Sequence, residues 1–141
     1  MRLQQKVAKF HLMHGIGRLN NMNDLINTWL NAQKFDVESV EYDNLCWAVD
    51  ELFNLAHDDY HRLLNIVVEI LKIDSSPKIL KNLGAGVLED LLIHNGDSCI
   101  DEIQKLTACN ASFKTALSNS YLDKDDVSPN VFRILQQIKN S

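Results

Sequence analysis

The sequence predicts an all-α protein, and three observations lead to that fold class. Apolar residues recur with the 3.6-residue period of a helix almost from end to end of the 141 residues. The alternation of apolar and polar residues that marks half-buried strands is absent. The two prolines and five glycines stand where helices are expected to begin or end. We therefore expect about eight short helices, arranged as a compact multi-helix bundle or a short stack of antiparallel helix pairs.

The first half of the chain predicts four helices from its apolar stripes. The first runs from about Leu3 to Met13 and is ended by Gly15 and Gly17. The apolar face of the second consists of Met22, Leu25, Ile26, Trp29 and Leu30. A third stripe runs from Leu45 to Ala56, and Trp47 flanks it. Asp58 and Asp59 then break the pattern and cap a fourth helix that begins at Tyr60.

In the second half, turn residues divide the helical pattern into shorter pieces. Ser75, Ser76 and Pro77 predict a helix start, because serine caps helices and proline is tolerated at the first helical position. This helix is expected to stop at Gly84, and the next to run from about Val87 to His94 and end at Asn95-Gly96. The remaining helices are predicted after Asp97 or Ser98, from Ala111 to Leu122, and after Ser128-Pro129.

Length and composition set the broad class of the protein. A chain of 141 residues, 45% hydrophobic and 23% charged, is long enough to fold as one domain over residues 1–141 without disulfides or metals as staples. Its apolar runs are shorter than the roughly 20 residues that span a bilayer. No signal-peptide core follows Met1. We therefore expect a cytoplasmic protein that does not enter a membrane.

The cysteines and histidines predict neither a disulfide framework nor a metal site. Cys46, Cys99 and Cys109 are odd in number and form no C-x-x-C pair, so we expect reduced and largely buried thiols. His57 and His61 have the i, i+4 spacing of a zinc-binding helix, but the glutamate that a hydrolytic zinc site places after the first histidine is missing. The sequence therefore predicts surface histidines at a helix junction, and no cofactor.

The most distinctive stretch runs from Gly84 to Leu92. Its two glycines permit a sharp turn or a close approach between helices, and with Gly86 as the cap residue, Glu89 falls at the third helical position of a capping box. The functional alternative is a small polar site made of Glu89, Asp90 and His94, since Asp90 and His94 are i, i+4 neighbours on one helix face.

Charge is distributed unevenly along the chain. The net charge is −5, which disfavours a dedicated nucleic-acid binder. Residues 35–61 contain eight acidic residues and no lysine or arginine. Such a run is either a solvated face or a docking surface for a basic protein. The candidate partner-binding residues are Asp36, Glu38, Glu41, Asp43, Asp50, Glu51, Asp58 and Asp59.

The residues Gly84, Ala85, Gly86, Leu88, Glu89, Asp90, Leu91 and Leu92, followed by Gly96, also carry a family resemblance. The stretch resembles the G-A-G-x-L-E-D-L-L motif of an uncharacterised bacterial helical family of unknown function, and the likeness extends more loosely over residues 45–122. The resemblance implies a helical fold and no particular activity. Small acidic helical proteins of this kind also resemble bacterial immunity proteins in a general way.

Two functions from different classes follow as expectations. The first is a non-enzymatic protein of the immunity or antitoxin type, which neutralises a basic toxin domain through the acidic surface. The second is a small hydrolase or ligand-binding domain that uses Glu89, Asp90 and His94. A homodimer formed through a leftover apolar face is a structural alternative to both.

Overall fold

A computed structural model describes residues 21–141 and shows helices throughout this range, with no strand in it. The all-α class is therefore confirmed. The α-helices are α1 (Met22–Ala32), α2 (Val40–Asp58), α3 (Tyr60–Ile73), α4 (Pro77–Asn82), α5 (Glu89–Cys109), α6 (Ala111–Ser118) and α7 (Pro129–Lys139). The helix predicted from Leu3 to Met13, with its stop at Gly15 and Gly17, lies outside the described residues, as do His11 and His14.

The chain divides into two compact units, Met1–Leu52 and Phe53–Ser141, with the boundary inside α2. In the described part of the first unit, α1 begins at a cap residue, Asn21, whose side chain accepts a hydrogen bond from the backbone N–H of Asp24 at 2.9 Å. The predicted stripe of α1 is buried through Leu25, Ile26 and Trp29. Trp47, which the pattern placed beside the stripe of its helix, is itself buried.

The second unit confirms three predicted helix starts. The side chain of Asp59 caps α3 and accepts a hydrogen bond from the N–H of Arg62 at 3.3 Å. Ser76 precedes Pro77 at the start of α4, and Ser128 caps α7, with its hydroxyl accepting from the N–H of Val131 at 3.2 Å. The expected cap bond is missing at Ser76, whose side chain makes no cap hydrogen bond, and α4 starts with proline at its first position. The other two starts were predictable because a cap bonds only to residues two or three positions away.

The predicted breaks around the glycines were wrong. Gly84 does not stop a helix and Gly86 does not cap one, because a π-helical segment, Leu83–Leu88, joins α4 to α5 in one continuous helical run. The break expected at Asn95-Gly96 is a kink inside α5, where Asn95 has φ −134° and ψ 23°. Three predicted short helices are thus one, and the described residues contain six helical rods.

Gly84 allows two helices to approach closely. A Cβ atom at this position would lie 1.9 Å from the carbonyl oxygen of Ala116 in α6. The segment therefore needs glycine for space at its backbone, not for a left-handed turn, since no glycine among the described residues has a positive φ. Of the two predicted uses of the glycines, the close approach is confirmed at Gly84 and not at Gly86, where an added Cβ would lie 3.9 Å from its nearest neighbour.

The short helix α6 lies at the centre of the second unit. It packs against α3, α4, the π-helical segment, α5 and α7. Its residues Phe113, Ala116 and Leu117 are fully buried, and the side chain of Asn110 caps it by accepting from the N–H of Phe113 at 2.9 Å. Within residues 21–141, no helix combines the length and apolarity that crossing a bilayer requires.

Candidate functional site

Three polar side chains of the second unit meet where the end of α2 faces α5. His57 Nε2 lies 2.9 Å from Asp90 Oδ2. His94 Nδ1 lies 2.9 Å from the backbone carbonyl oxygen of Asp90 and 3.3 Å from its Oδ1. The two imidazole rings are stacked with their centroids 3.8 Å apart and their planes inclined by 36°. We call these three residues the His-Asp-His cluster.

Hydrogen bonding assigns the protons on the two rings. A carbonyl oxygen only accepts hydrogen bonds, so Nδ1 of His94 donates to Asp90 and a neutral ring keeps its lone pair on Nε2. His57 in the same way donates from Nε2 to the carboxylate. The side chains of His57, Asp90 and His94 are 45%, 23% and 43% exposed, so the cluster is open to solvent.

Asn95 fixes the two helices that carry the cluster. Its side-chain amide donates to the carbonyl oxygens of Ala56 and His57, at 2.7 and 3.2 Å. These carbonyls belong to the last turn of α2, where the helix itself supplies no partner. The kink at Asn95 accompanies this contact, so the residue that the sequence marked as a break joins α5 to α2.

The structure separates the residues of the predicted polar site. Asp90 and His94 lie together, as their i, i+4 spacing predicted. Glu89 points elsewhere: its Oε1 accepts a hydrogen bond from the N–H of Tyr121 at 2.6 Å, and it forms no capping box with Gly86. Adjacent residues on a helix face different directions, so Glu89 and Asp90 do not share a site.

His57 and His61, which have i, i+4 spacing in the sequence, contact different carboxylates in the structure. His57 ends α2 and joins Asp90, whereas His61 lies in α3 and contacts Glu102, with Nδ1 to Oε1 at 2.6 Å. The predicted junction between two helices is confirmed. The contact of His57 was not predicted, because its partner lies 33 positions along the chain and no local pattern reports such a contact.

A surface cavity of about 250 Å³ adjoins the cluster. Its wall includes His94, Asn95 and the residues of α5 that follow them, together with Val127, Ser128 and Val131. The hydroxyl of Ser128 donates to Asp97 Oδ1 at 2.6 Å beside this cavity. His94 therefore lines this cavity and also belongs to the cluster.

The predicted partner-binding residues differ in accessibility. Asp36, Glu38, Glu41, Asp58 and Asp59 are exposed, although Asp59 also caps α3. Asp50 and Glu51 are half-buried. Asp43 is only 6% exposed, which leaves it little surface to present to a partner.

Exposed apolar residues lie among the acidic ones, a feature that was not predicted from the sequence. Phe35, Val37 and Val40 are 39%, 64% and 68% exposed. They alternate with Asp36, Glu38 and Glu41 between the end of α1 and the first turn of α2. We call residues 35–41 the acidic segment.

The thiol of Cys99 is not an activated nucleophile. Burial, followed by repulsion from Glu102 and Asp97, raises the pKa of the Cys99 thiol to about 12, so it stays protonated near neutral pH. Cys46 is buried and Cys109 is exposed, and all three are free thiols. Free thiols were predicted, but the expected burial holds only for Cys46 and Cys99, and Cys109, the last residue of α5, departs from it.

One family model matches the chain. It describes a family of unknown function (DUF6869) and covers residues 36–141. This range is wider than the resemblance predicted over residues 45–122, and it contains both the His-Asp-His cluster and nearly all of the acidic segment. No curated protein and no solved structure gave a significant match.

Proposed function

We propose that this chain, which belongs to the family of unknown function DUF6869, acts by binding a basic protein partner rather than by catalysis. The acidic segment is the surface that we assign to this role. Three exposed carboxylates would attract the partner, and three exposed apolar side chains would be buried when it docks. Protein interfaces commonly combine such an apolar centre with charged residues that steer association.

The observation that supports the proposal is the alternation of exposed apolar and acidic residues within seven positions. Val37 and Val40 each leave more than half of their surface in solvent. In the described part of the chain, no lysine or arginine side chain forms a salt bridge with Asp36, Glu38 or Glu41. Their charge therefore stays available to a cation on another molecule.

The finer proposal concerns the kind of partner. We propose an immunity or antitoxin role in the cytoplasm, in which the protein covers a basic toxin domain. A toxin that acts on nucleic acid would carry the positive surface that an acidic segment selects. A gene for a large secreted protein with a variable carboxyl-terminal region, next to the gene for this chain, would support that role.

A charge-reversal experiment tests the binding proposal. Glu38→Lys/Glu41→Lys changes two exposed carboxylates of the acidic segment. Asp101→Lys/Asp125→Lys is the matched control, because it changes net charge by the same amount at two exposed positions elsewhere. Each protein is used to capture partners from a lysate of the source cells, and association with the captured protein is then timed at low and high salt.

We expect the unchanged protein and the control to capture the same basic protein. Glu38→Lys/Glu41→Lys should slow its association at low salt by about tenfold or more, with a smaller difference at high salt. Equal capture and equal association rates for both double variants at both salt concentrations would contradict the proposed docking surface.

A further inference from the structure

We propose that the His-Asp-His cluster is a binding site for a divalent transition-metal ion of the zinc type. The proposal is independent of partner binding, since it concerns different residues in the second unit. It also replaces the predicted polar site of Glu89, Asp90 and His94. The proposed site keeps Asp90 and His94, gains His57 and does not include Glu89.

The donor atoms determine the class of metal. Two imidazole nitrogens and one carboxylate oxygen suit zinc and neighbouring transition metals, whereas magnesium and calcium prefer oxygen ligands alone. Three protein ligands leave at least one position for water. The partial exposure of all three side chains gives an ion a path to the site.

The spacing of the donors is close to that of a loaded site. One donor atom from each of His57, Asp90 and His94 lies within 4.8 Å of the others. Ligands around tetrahedral zinc, with bonds of about 2.05 Å, are about 3.3 Å apart. A contraction of up to about 1.5 Å is needed, and rotation of the partly exposed side chains can supply it.

The surroundings prepare the two histidines for a cation. The carbonyl oxygen of Asp90 orients His94 through Nδ1 and leaves Nε2 as its donor, an arrangement common among metal-binding histidines. The amide of Asn95 holds the last carbonyls of α2, including that of His57. Asp58 and Asp59 follow His57 directly in sequence and add negative charge to this end of α2.

We assign the ion a structural role. Glu89, which the sequence offered as an acid or base, is engaged by the N–H of Tyr121 and does not face the cluster. An ion on His57 and His94 would instead fasten the end of α2 to α5. Binding would displace the proton that His57 now shares with Asp90, so affinity should fall as the solution becomes more acidic.

Zinc titration of the full chain, purified without a histidine tag, tests the site. All proteins carry Cys109→Ser, because an exposed thiol binds zinc by itself. His94→Gln and Asp90→Asn each remove one ligand. His61→Gln is the matched control, since it breaks a different histidine–carboxylate pair on the same unit. Calorimetry gives affinity and stoichiometry, and thermal unfolding with and without zinc gives a second readout.

We expect one zinc ion per chain, a rise in melting temperature with zinc, and no comparable effect of magnesium. His94→Gln and Asp90→Asn should weaken binding by at least about tenfold and abolish the thermal shift, while His61→Gln stays within about twofold. Circular dichroism verifies that each variant folds. If Asp90→Asn does not fold, the result for His94→Gln alone tests the site, because the His94 side chain is exposed and its replacement should leave the fold intact. Absence of zinc binding would overturn the proposal. Zinc binding that survives His94→Gln would also overturn it, because the ion would then be held by other residues, such as His11 and His14.

Discussion

The acidic segment and the π-helical segment are both short irregular stretches, but they face opposite environments. The glycines and alanine of Leu83–Leu88 form the most distinctive pattern in the sequence, and this segment packs tightly against α6. The acidic segment lies in the run without lysine or arginine, and its apolar residues are left in solvent. The glycine pattern thus reports a packing constraint, whereas the charge pattern marks the candidate interaction surface.

The largest expected effect concerns the tight packing of the π-helical segment against α6. Gly84→Ala should lower the free energy of unfolding by about 3 kcal/mol, because the new methyl group meets a backbone carbonyl that cannot rotate away. Gly86→Ala is the control, since the nearest atom to its added Cβ is Phe53 Cζ at 3.9 Å. It should be neutral or stabilise by up to about 1 kcal/mol. Urea unfolding measures both, and equal losses for the two variants would break the distinction.

A second effect concerns Glu89, which was predicted in the polar site but binds the N–H of Tyr121 instead. Glu89→Ala should cost about 1–2 kcal/mol of unfolding free energy, because it removes the acceptor for the N–H of Tyr121. Glu89→Gln keeps an acceptor oxygen and should cost less. Zinc affinity should be the same in both variants as in the unchanged protein. A loss of zinc binding with Glu89→Gln would return Glu89 to the site.

The buried Cys99 thiol of α5 should make the free energy of unfolding depend on pH in alkaline solution. In the unfolded chain the Cys99 thiol ionises near the ordinary value for cysteine, 9.0, whereas in the folded protein burial raises its pKa to about 12. The unfolded state is therefore favoured as pH rises above about 9, by up to about 1.4 kcal/mol per pH unit. Comparison of unfolding free energies at pH 8 and pH 10 should show a smaller loss in Cys99→Ala. An identical pH dependence would contradict this origin.

The smallest expected change in stability concerns the exposed valines of the acidic segment. Val37→Ser/Val40→Ser should alter the free energy of unfolding by no more than about 0.5 kcal/mol, since both side chains are largely exposed already. The same variant should weaken binding to the captured basic partner, mainly through faster dissociation. Unchanged dissociation would restrict the docking surface to its charges.

Local signals in the sequence were sufficient for the starts of α3, α4 and α7 and for most of the core. Asp59 and Ser128 cap through hydrogen bonds to residues three positions on, and Pro77 fits the first helical position, so these starts can be predicted from neighbours alone. The continuity from Pro77 to Cys109 was not predictable in this way, because Gly84 is a stop signal unless another helix needs its space. The His-Asp-His cluster was missed for the same reason: the i, i+4 pair of Asp90 and His94 was visible, while the addition of His57 depends on tertiary packing.

The π-helical segment also sets the rotational phase of everything that follows it. An α-helix turns by about 100° per residue, so a helix that gains or loses one position presents a different face downstream. Deletion of one residue between Leu83 and Leu88 would leave each helix able to form. It would turn Asp90 and His94 away from His57, and carry Asn95 away from the end of α2. In this chain, a local change of hydrogen-bond step determines which side chains, far apart in sequence, become neighbours.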